Sequence, residues 1–423
     1  MYGSVKKILK SSLLKSSFVF AVSNVINSSI PFLLIPVLTR YLNPEEYGIL
    51  SIFQVISTLL VSFVGLNTSS AVGIQYFKKD EVDFPNYLFN SLLVLLTSSL
   101  LLLVLFVLFS NPISRLVEFP ANWLPLIVVF ASTQFIFQLL LGIWIAEEKP
   151  FYYGIYQIGQ TSLNLLLSLI LVIPFDLGWK GRILAQVIVF GFYSILTLYI
   201  LYKKNYIKPG INRAYIINAL KFGVPLIPHT FGMSALMLSD RLIISSVKNI
   251  GEVGIYMVGY QFAQIILLVQ DSFNSAFSPW IYKNLKKNSH DDNVRLVKFT
   301  YLYFICILVF SAVYAFVIPY FYTFFVGSEF ISGVKFIFWI SLGFAFSGMY
   351  KMVVNYIFYT EKTYILASIT TFSALCNITL TYLFVVRFGT IGAAYSLCIS
   401  YFISFVLTWY FSNKVYPMPW SLK

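Results

Sequence analysis

Apolar residues run along this chain in blocks of about 20, each bounded by short polar or basic segments. A block of that length, wound as an α-helix rising 1.5 Å per residue, crosses the ~30 Å hydrocarbon layer of a bilayer. Twelve blocks can be placed, at 18–38, 49–68, 87–109, 123–145, 152–173, 183–202, 222–243, 254–280, 299–320, 334–358, 363–386 and 391–411. A membrane β-barrel would instead alternate apolar and polar positions in segments of about ten residues. The pattern predicts an all-α polytopic membrane protein with twelve transmembrane helices.

Composition removes the main competitor. Of 423 residues, 59% are hydrophobic and 11% charged, against about 25% charged in soluble domains, so a water-soluble globule is excluded. A net charge of +13 would fit a nucleic-acid partner, but the basic residues gather between spans. With the N-terminus inside, inner segments hold twenty of the 29 Lys and Arg and outer loops eight, leaving Lys351 alone within a span. That asymmetry places both termini in the cytoplasm and accounts for the charge without nucleic acid. Residues 1–17 hold four lysines, but no short apolar stretch with a cleavage site follows, so the first span reads as a retained helix. Cys306, Cys376 and Cys398 all lie in apolar runs without ligand spacing, so neither a disulfide nor a metal is expected.

Two inner segments are the most basic. Residues 203–221 contain INRAYIINALK, which reads as a short interfacial helix, and residues 281–298 read IYKNLKKNSHDDNVRLVK. The first reading of both is topology-setting charge beside anionic lipid headgroups; the second is an inner-side contact for an anionic substrate.

The chain repeats itself. YLNPEEYGILSIF (41–53) and VKNIGEVGIYMVG (247–259) align at an offset of 206, matching Asn43 to Asn249, Glu46 to Glu252 and Gly48 to Gly254. EKP at 148–150 aligns with EKT at 361–363, and Gly181 of WKGRILA with Gly392 of GTIGAAY. The expected organisation is an N-terminal six-helix bundle (1–202), a cytoplasmic linker (203–221) and a C-terminal six-helix bundle (222–423). An even number of spans per half makes the halves parallel. Such a plan suits a central cavity opening alternately to each side.

Chemistry of the common kinds is missing. There is no G-x-x-x-x-G-K-[ST] loop for ATP, no H-E-x-x-H and no G-x-S-x-G. The outer loops are short, the longest lying near 321–335. Neither an enzyme nor a cofactor is expected.

Polar residues within the spans are the informative ones. In span 8, Gln261, Gln264, Asp271, Ser275 and Ser278 fall within about 100° of one another. Span 10 carries Ser347, Lys351 and Asn355 at i, i+4 and i+8; span 11 carries Thr370, Ser373, Asn377 and Thr381; span 1 carries Asn24, Asn27 and Ser28. For the Ser, Thr and Asn positions, helix–helix hydrogen bonding is the first explanation. It serves less well for Asp271 and Lys351, since a charge near the bilayer centre costs at least ~2.5–3.5 kcal/mol on insertion scales. Lys351 therefore reads as a cavity cation or as the structural partner of Asp271. In span 7, Pro225 and Pro228 precede His229, and His229 and Asp240 share a face ~16 Å apart along the axis. His229 is open between a core histidine and a cavity group, whereas Asp240 and Arg241 read first as a local ion pair.

With these residues in hand, the chain resembles the Wzx-type polysaccharide (O-antigen) flippases of the multidrug/oligosaccharidyl-lipid/polysaccharide exporter superfamily. The resemblance rests on PVLTRYLNPEEYGILSIFQ (36–54), GVPLIPHTFG with SDRLIIS (223–232, 239–245), EVGIYMVGYQ (252–261) and FSPWIYKNL (277–285). It implies a flippase moving an undecaprenyl-pyrophosphate-linked oligosaccharide across the bacterial inner membrane by ion-coupled alternating access, for O-antigen, lipopolysaccharide or related surface glycan. It also implies membrane lipids, a polysaccharide polymerase and a chain-length regulator as partners. On this reading Lys351, Arg40, Arg241, His229, Asn355, Gln261 and Gln264 line the pyrophosphate and sugar cavity, and Asp271, Asp240 and His229 couple transport to an ion. Flippases of the peptidoglycan precursor carry several arginines in the first spans; here those helices hold only Arg40, which argues against lipid II. An exporter of small amphipathic cations is the runner-up, opposed by Lys351. A membrane-embedded glycan polymerase comes third, opposed by the short outer loops.

Overall fold

The computed structural model describes residues 12–285, 289–360 and 362–421, and all regular structure among them is helical. Ten helices among the described residues are long and apolar enough to cross a bilayer. The pair Pro44–Val61 and Val64–Tyr76, bent by 49°, makes an eleventh if it is one span. A 21-residue helix, Ile227–Val247, stands where the seventh span is expected; some of its side chains lie outside the described residues, and it is not in that count. The chain divides into two compact units, Met1–Ala235 and Leu236–Lys423.

In unit 1, α1 (Ser12–Ser29) passes through a 3-10 turn, Ile30–Leu34, into α2 (Ile35–Tyr41), with Pro31 and Pro36 opening successive pieces. Proline fits a helix's first turn, where its missing N–H costs nothing, which favours the breaks there. α3 (Pro44–Val61) begins at a capping box: Asn43 Oδ1 accepts from the Glu46 N–H at 2.9 Å and Glu46 Oε2 accepts from the Asn43 N–H at 3.2 Å.

The second span, expected straight over 49–68, is instead broken before α4 (Thr68–Tyr76). Gly65, Leu66 and Asn67 all adopt positive φ (67°, 50° and 56°). Freed backbone groups at membrane depth need partners within the protein. They have them: Gly65 N–H donates to Ser98 Oγ at 2.9 Å, and Thr68 Oγ1 donates to the Gly65 carbonyl at 2.7 Å.

Four long helices complete the spans of this unit: α5 (Phe84–Leu108), α7 (Leu124–Ala146), α8 (Pro150–Val172) and α9 (Gly178–Lys203), with the short α6 (Ser110–Val117) after α5. Leu100, Leu101, Val104 and Leu108 of α5 are more than half exposed, a face that only lipid can cover. Polar stripes are taken up between helices: Tyr153 hydroxyl donates to Asn24 at 2.9 Å, Thr161 bonds Asn27, and Tyr156 hydroxyl meets Thr197 at 2.8 Å.

Segment 203–221 is bound to unit 1 along much of its length. Lys208 N–H donates to the Pro85 carbonyl (3.2 Å), Asn86 Nδ2 to the Gly210 carbonyl (2.8 Å), and Asn212 N–H to Asn90 Oδ1 (2.8 Å). Its helix α10 (Arg213–Gly223) carries Asn218, whose Oδ1 accepts from the Tyr87 hydroxyl at 3.0 Å. Lys208 also donates to Asp83 at 2.7 Å and holds that carboxyl below its ordinary value. α11 (Ile227–Val247) follows a 3-10 turn, Val224–Leu226, holding Pro225. Thr230 of α11 accepts from Asn67 at 3.0 Å, and Phe231 meets Phe63 edge-on at 5.5 Å.

Unit 2 contains α12 (Ile250–Leu285), α13 (His290–Phe325), α14 (Val334–Tyr359), α15 (Thr363–Phe388) and α16 (Ile391–Val415). At 36 residues each, α12 and α13 run about 54 Å, well past the hydrocarbon. Most of 281–298, expected as a basic loop, is therefore helix. Its apolar positions explain why: Ile281, Leu285, Leu296 and Val297 are at most 1% exposed, so the core extends beyond the bilayer. Asn377 donates to Ser400 at 3.2 Å and Thr381 pairs with Ser396 at 2.7 Å, tying α15 to α16.

The repeat is visible in contacts. Asn249 Oδ1 caps α12 by accepting from the Glu252 N–H at 2.9 Å, as Asn43 caps α3. In unit 1 the Glu46 carboxylate lies against Gly178, the first residue of α9; in unit 2 Glu252 accepts from Thr390 (2.5 Å), just before α16. A Cβ on Gly181 would stand 2.9 Å from the Leu171 carbonyl, and one on Gly392 would stand 2.2 Å from that of Phe384. Each glycine lets the last helix of its unit start hard against the end of the helix before it.

Candidate functional site

The polar stripes of α12 and α14 face each other. Lys351 of α14 forms an ion pair and hydrogen bond with Asp271 of α12. One turn on, Asn355 Nδ2 donates to the Lys351 carbonyl at 2.8 Å, and its Oδ1 accepts from Ser278 (3.2 Å) and Tyr282 (3.0 Å). Ser278 also reaches Asn274 at 3.4 Å. The seam grades from open to closed: Asp271 is 52% exposed, Lys351 is 22% exposed, and Asn355 is buried. Helices α12 and α14 thus carry a charged group at one point and a neutral hydrogen-bonding ladder from there on. An ion pair still half open can exchange partners, while buried Asn355 fixes where Lys351 stands.

A second cluster joins α11 to α12. Arg241 Nη1 donates to Asp240 Oδ1 at 2.8 Å, the Tyr256 hydroxyl donates to Asp240 Oδ2 at 2.7 Å, and Arg241 Nε points at Met257 Sδ, 2.9 Å away. The guanidinium also lies over the Tyr260 ring, 4.3 Å from its centroid. Asp240 and Arg241 are 4% and 2% exposed. This pair is closed on all sides by its own partners.

Of the other residues singled out by pattern, Gln261 and Gln264 are both half-buried on α12. Arg40 lies in unit 1, exposed at the end of α2. His229 lies in the first turn of α11 within the unit 1 range, and its side chain, like that of Ser275, is outside the described residues. Among the described residues, no three His, Cys, Asp or Glu side chains come together as a metal site requires.

Pattern reading missed Tyr282 and Arg182. Tyr282 stands four residues after Ser278, on the same stripe, but beyond the expected end of its span. Arg182 was counted with an outer loop, yet it lies in the second turn of α9, where Nη1 bonds Asn164 and Ser168. Tyr256 and Tyr260 carried no signal at all, since the sequence does not say which aromatic side chain will face a carboxylate or a guanidinium.

A family model described as polysaccharide biosynthesis protein matches residues 13–285. The chain belongs to that family. It is 26% identical over 417 residues to Lsg locus putative protein 1 of Haemophilus influenzae, covering 92% of this chain and 97% of that one. It is 24% identical over 362 residues to an uncharacterized membrane protein of the same organism, covering 83% and 85%. Among solved structures, an inward-facing multidrug resistance MATE family transporter of the MOP superfamily superposes with a TM-score of 0.72 at 14% identity, covering 96% of this chain and 98% of that one. The lipid II flippase MurJ in an inward closed conformation gives 0.72 at 16% identity, covering 95% and 87%. This polysaccharide biosynthesis protein therefore has the MATE/MurJ all-helical transporter fold.

Proposed function

We propose that this protein is a flippase that carries an undecaprenyl-pyrophosphate-linked oligosaccharide across the bacterial inner membrane, serving O-antigen, lipopolysaccharide or related glycan assembly. The observation that carries the reading is the Asp271–Lys351–Asn355 seam. A lysine inside a span whose carboxylate partner is half exposed can exchange that carboxylate for a pyrophosphate, and Asn355, Tyr282, Gln261 and Gln264 offer hydrogen bonds to sugar hydroxyls. Asp271 is the coupling group that takes up an ion when Lys351 leaves it; Asp240 and His229 are the further candidates. Arg40 and Arg241 complete the cationic set, Arg241 with its carboxylate already in place. Transport proceeds by alternating access, both termini are cytoplasmic, and a polymerase and chain-length regulator act on the delivered product. No chemical step falls to the chain itself.

The equal likeness to a multidrug transporter favours a second reading, export of small amphipathic cations. Lys351 in the seam opposes it, since a cation site is better lined by acid alone. Deleting the gene separates the two. Under the flippase reading, lipid-linked glycan accumulates on the inner leaflet and surface polysaccharide is lost. Unchanged surface glycan with raised drug sensitivity would overturn it.

A further inference from the structure

Lys351, Arg241 and Arg182 each lie within a long helix, and they differ in what holds them. Lys351 has Asp271 and Arg241 has Asp240. Arg182 has neither: among the described residues no carboxylate stands within ion-pair distance of it, and the ionisable side chain near it is the neutral phenol of Tyr47. The nearby acid, Glu46, is spent at the helix start beside Gly178. Trp123 and Trp179, whose rings pack 5.0 Å apart, are of the type enriched where helices meet the membrane interface. Arg182 lies three residues inward of Trp179, about 4–5 Å along the axis. Its partner Asn164 is eight residues before the end of α8 at Val172, about 12 Å below that end.

The way Arg182 is held matters as much as its charge. Only Nη1 is engaged, by Asn164 Oδ1 and by Ser168 Oγ at 2.5 Å. Asn164 and Ser168 sit one turn apart on α8 and are themselves buried, and Ser168 is tied to the Asn164 carbonyl at 2.6 Å. They form a rigid seat. The Nε and Nη2 donors have no acceptor among the described residues, and the side chain is half-buried rather than closed in. Nε–H and Nη2–H together are the edge with which a guanidinium grips a planar pair of oxygens. In unit 2 the corresponding seat, Asn377 and Thr381 at an offset of 213, is filled by Ser400 and Ser396 instead. The repeat therefore does not need an arginine there to fold.

We propose that Arg182, seated on Asn164 and Ser168, is an oxyanion-binding group that takes phosphate or pyrophosphate oxygens within unit 1. It rests in part on the flippase reading, under which the oxyanion is the head of a prenyl carrier, but the site chemistry stands without it. The full-length protein in lipid nanodiscs is titrated with farnesyl pyrophosphate, farnesol and inorganic pyrophosphate. Farnesyl pyrophosphate binds, Arg182→Gln weakens it tenfold or more, Arg182→Lys weakens it less, and farnesol is indifferent to both changes. Binding of inorganic pyrophosphate with the same dependence on Arg182 supports the site and makes its source a soluble anion; binding of the prenyl form alone makes it a lipid head. Equal affinities for Arg182→Gln and the parent protein, at equal thermal stability, overturn the proposal. Should Arg182→Gln fail to fold, Asn164→Ala serves: loss of the seat lowers affinity about threefold, and no change refutes the site. If binding depends on Arg182 while a deletion strain keeps its surface glycan, the transport reading fails and the oxyanion site remains.

Discussion

The two units share a scaffold and differ in where they keep charge. In unit 1 the ion pairs stand at helix ends: Lys149 and Lys204 on Glu147, and Lys208 on Asp83. In unit 2 they lie within helices, as Asp240–Arg241 and Asp271–Lys351. The same pair of helices shows it most clearly. The second and fourth long helices of unit 1, α3 and α7, meet through Phe53 and Phe130 (5.1 Å between ring centroids); their counterparts α12 and α14 keep such an aromatic contact, Tyr256 with Phe336 (5.3 Å), and add the Lys351–Asp271 ion pair. Meanwhile the Asn-capped starts of α3 and α12, the Glu46 and Glu252 contacts, and the Gly181 and Gly392 crossings are alike in both. What builds a bundle was kept in duplicate; among the described residues, the carboxylate-paired charges within helices lie in unit 2.

That contrast can be broken by substitution. The largest loss is expected at Asp240→Ala, which strands the Arg241 guanidinium in a closed site. Breaking a buried pair costs about 3–5 kcal/mol, read as thermal unfolding in detergent; a loss below about 1 kcal/mol would mean the cluster is not the anchor of unit 2. Lys351→Ala comes next and acts differently. Its pair is half open, so expression and stability are retained while glycan export in a complementation assay falls at least tenfold. Full export would take Lys351 out of the mechanism and leave the two units functionally alike.

The glycine crossings test the shared scaffold. Gly392→Ala drives a Cβ into a backbone oxygen and is expected to destabilise by about 1–3 kcal/mol. Gly181→Ala should cost less, because its approach is 2.9 Å rather than 2.2 Å; the reverse order would show that the crossings are not equivalent. The smallest effect concerns segment 203–221. Asp83 has a lowered value through Lys208, so its stabilisation is complete above the ordinary carboxylate value and is lost only as pH falls through the lower, folded one. Limited proteolysis within 204–212 should be unchanged from pH 7 to 5 and rise in strong acid, and Asp83→Asn should raise it modestly at neutral pH. Sensitivity near neutrality would point to another group.

Much of this was legible in the residues. Spans are legible because each must satisfy its backbone internally over a fixed thickness, and the repeat is legible because Asn43/Asn249 and Glu46/Glu252 are cap residues with a fixed spacing. The stripes, Asp271 with Ser278 and Lys351 with Asn355, were legible because 3.6-residue periodicity puts each set on one face of its own helix. Tyr282 was lost where hydropathy ended the helix too early: buried Leu285 and Leu296 continue the core into water, and a membrane-length window does not look there. Arg182 was lost for a related reason, because a charge next to a Gly- and Trp-containing turn reads as loop.

The sequence by itself determined that this is a helical, duplicated membrane protein with polar faces on particular helices, because length, periodicity and capping are local properties of the chain. It could not say which polar face meets which. That Lys351 is joined to Asp271, that Asp240 is closed by Tyr256, that segment 203–221 is stitched to α5 and that Arg182 is seated on Asn164 and Ser168 depend on residues from 14 to more than a hundred positions apart. Such pairings are decided only when the helices pack.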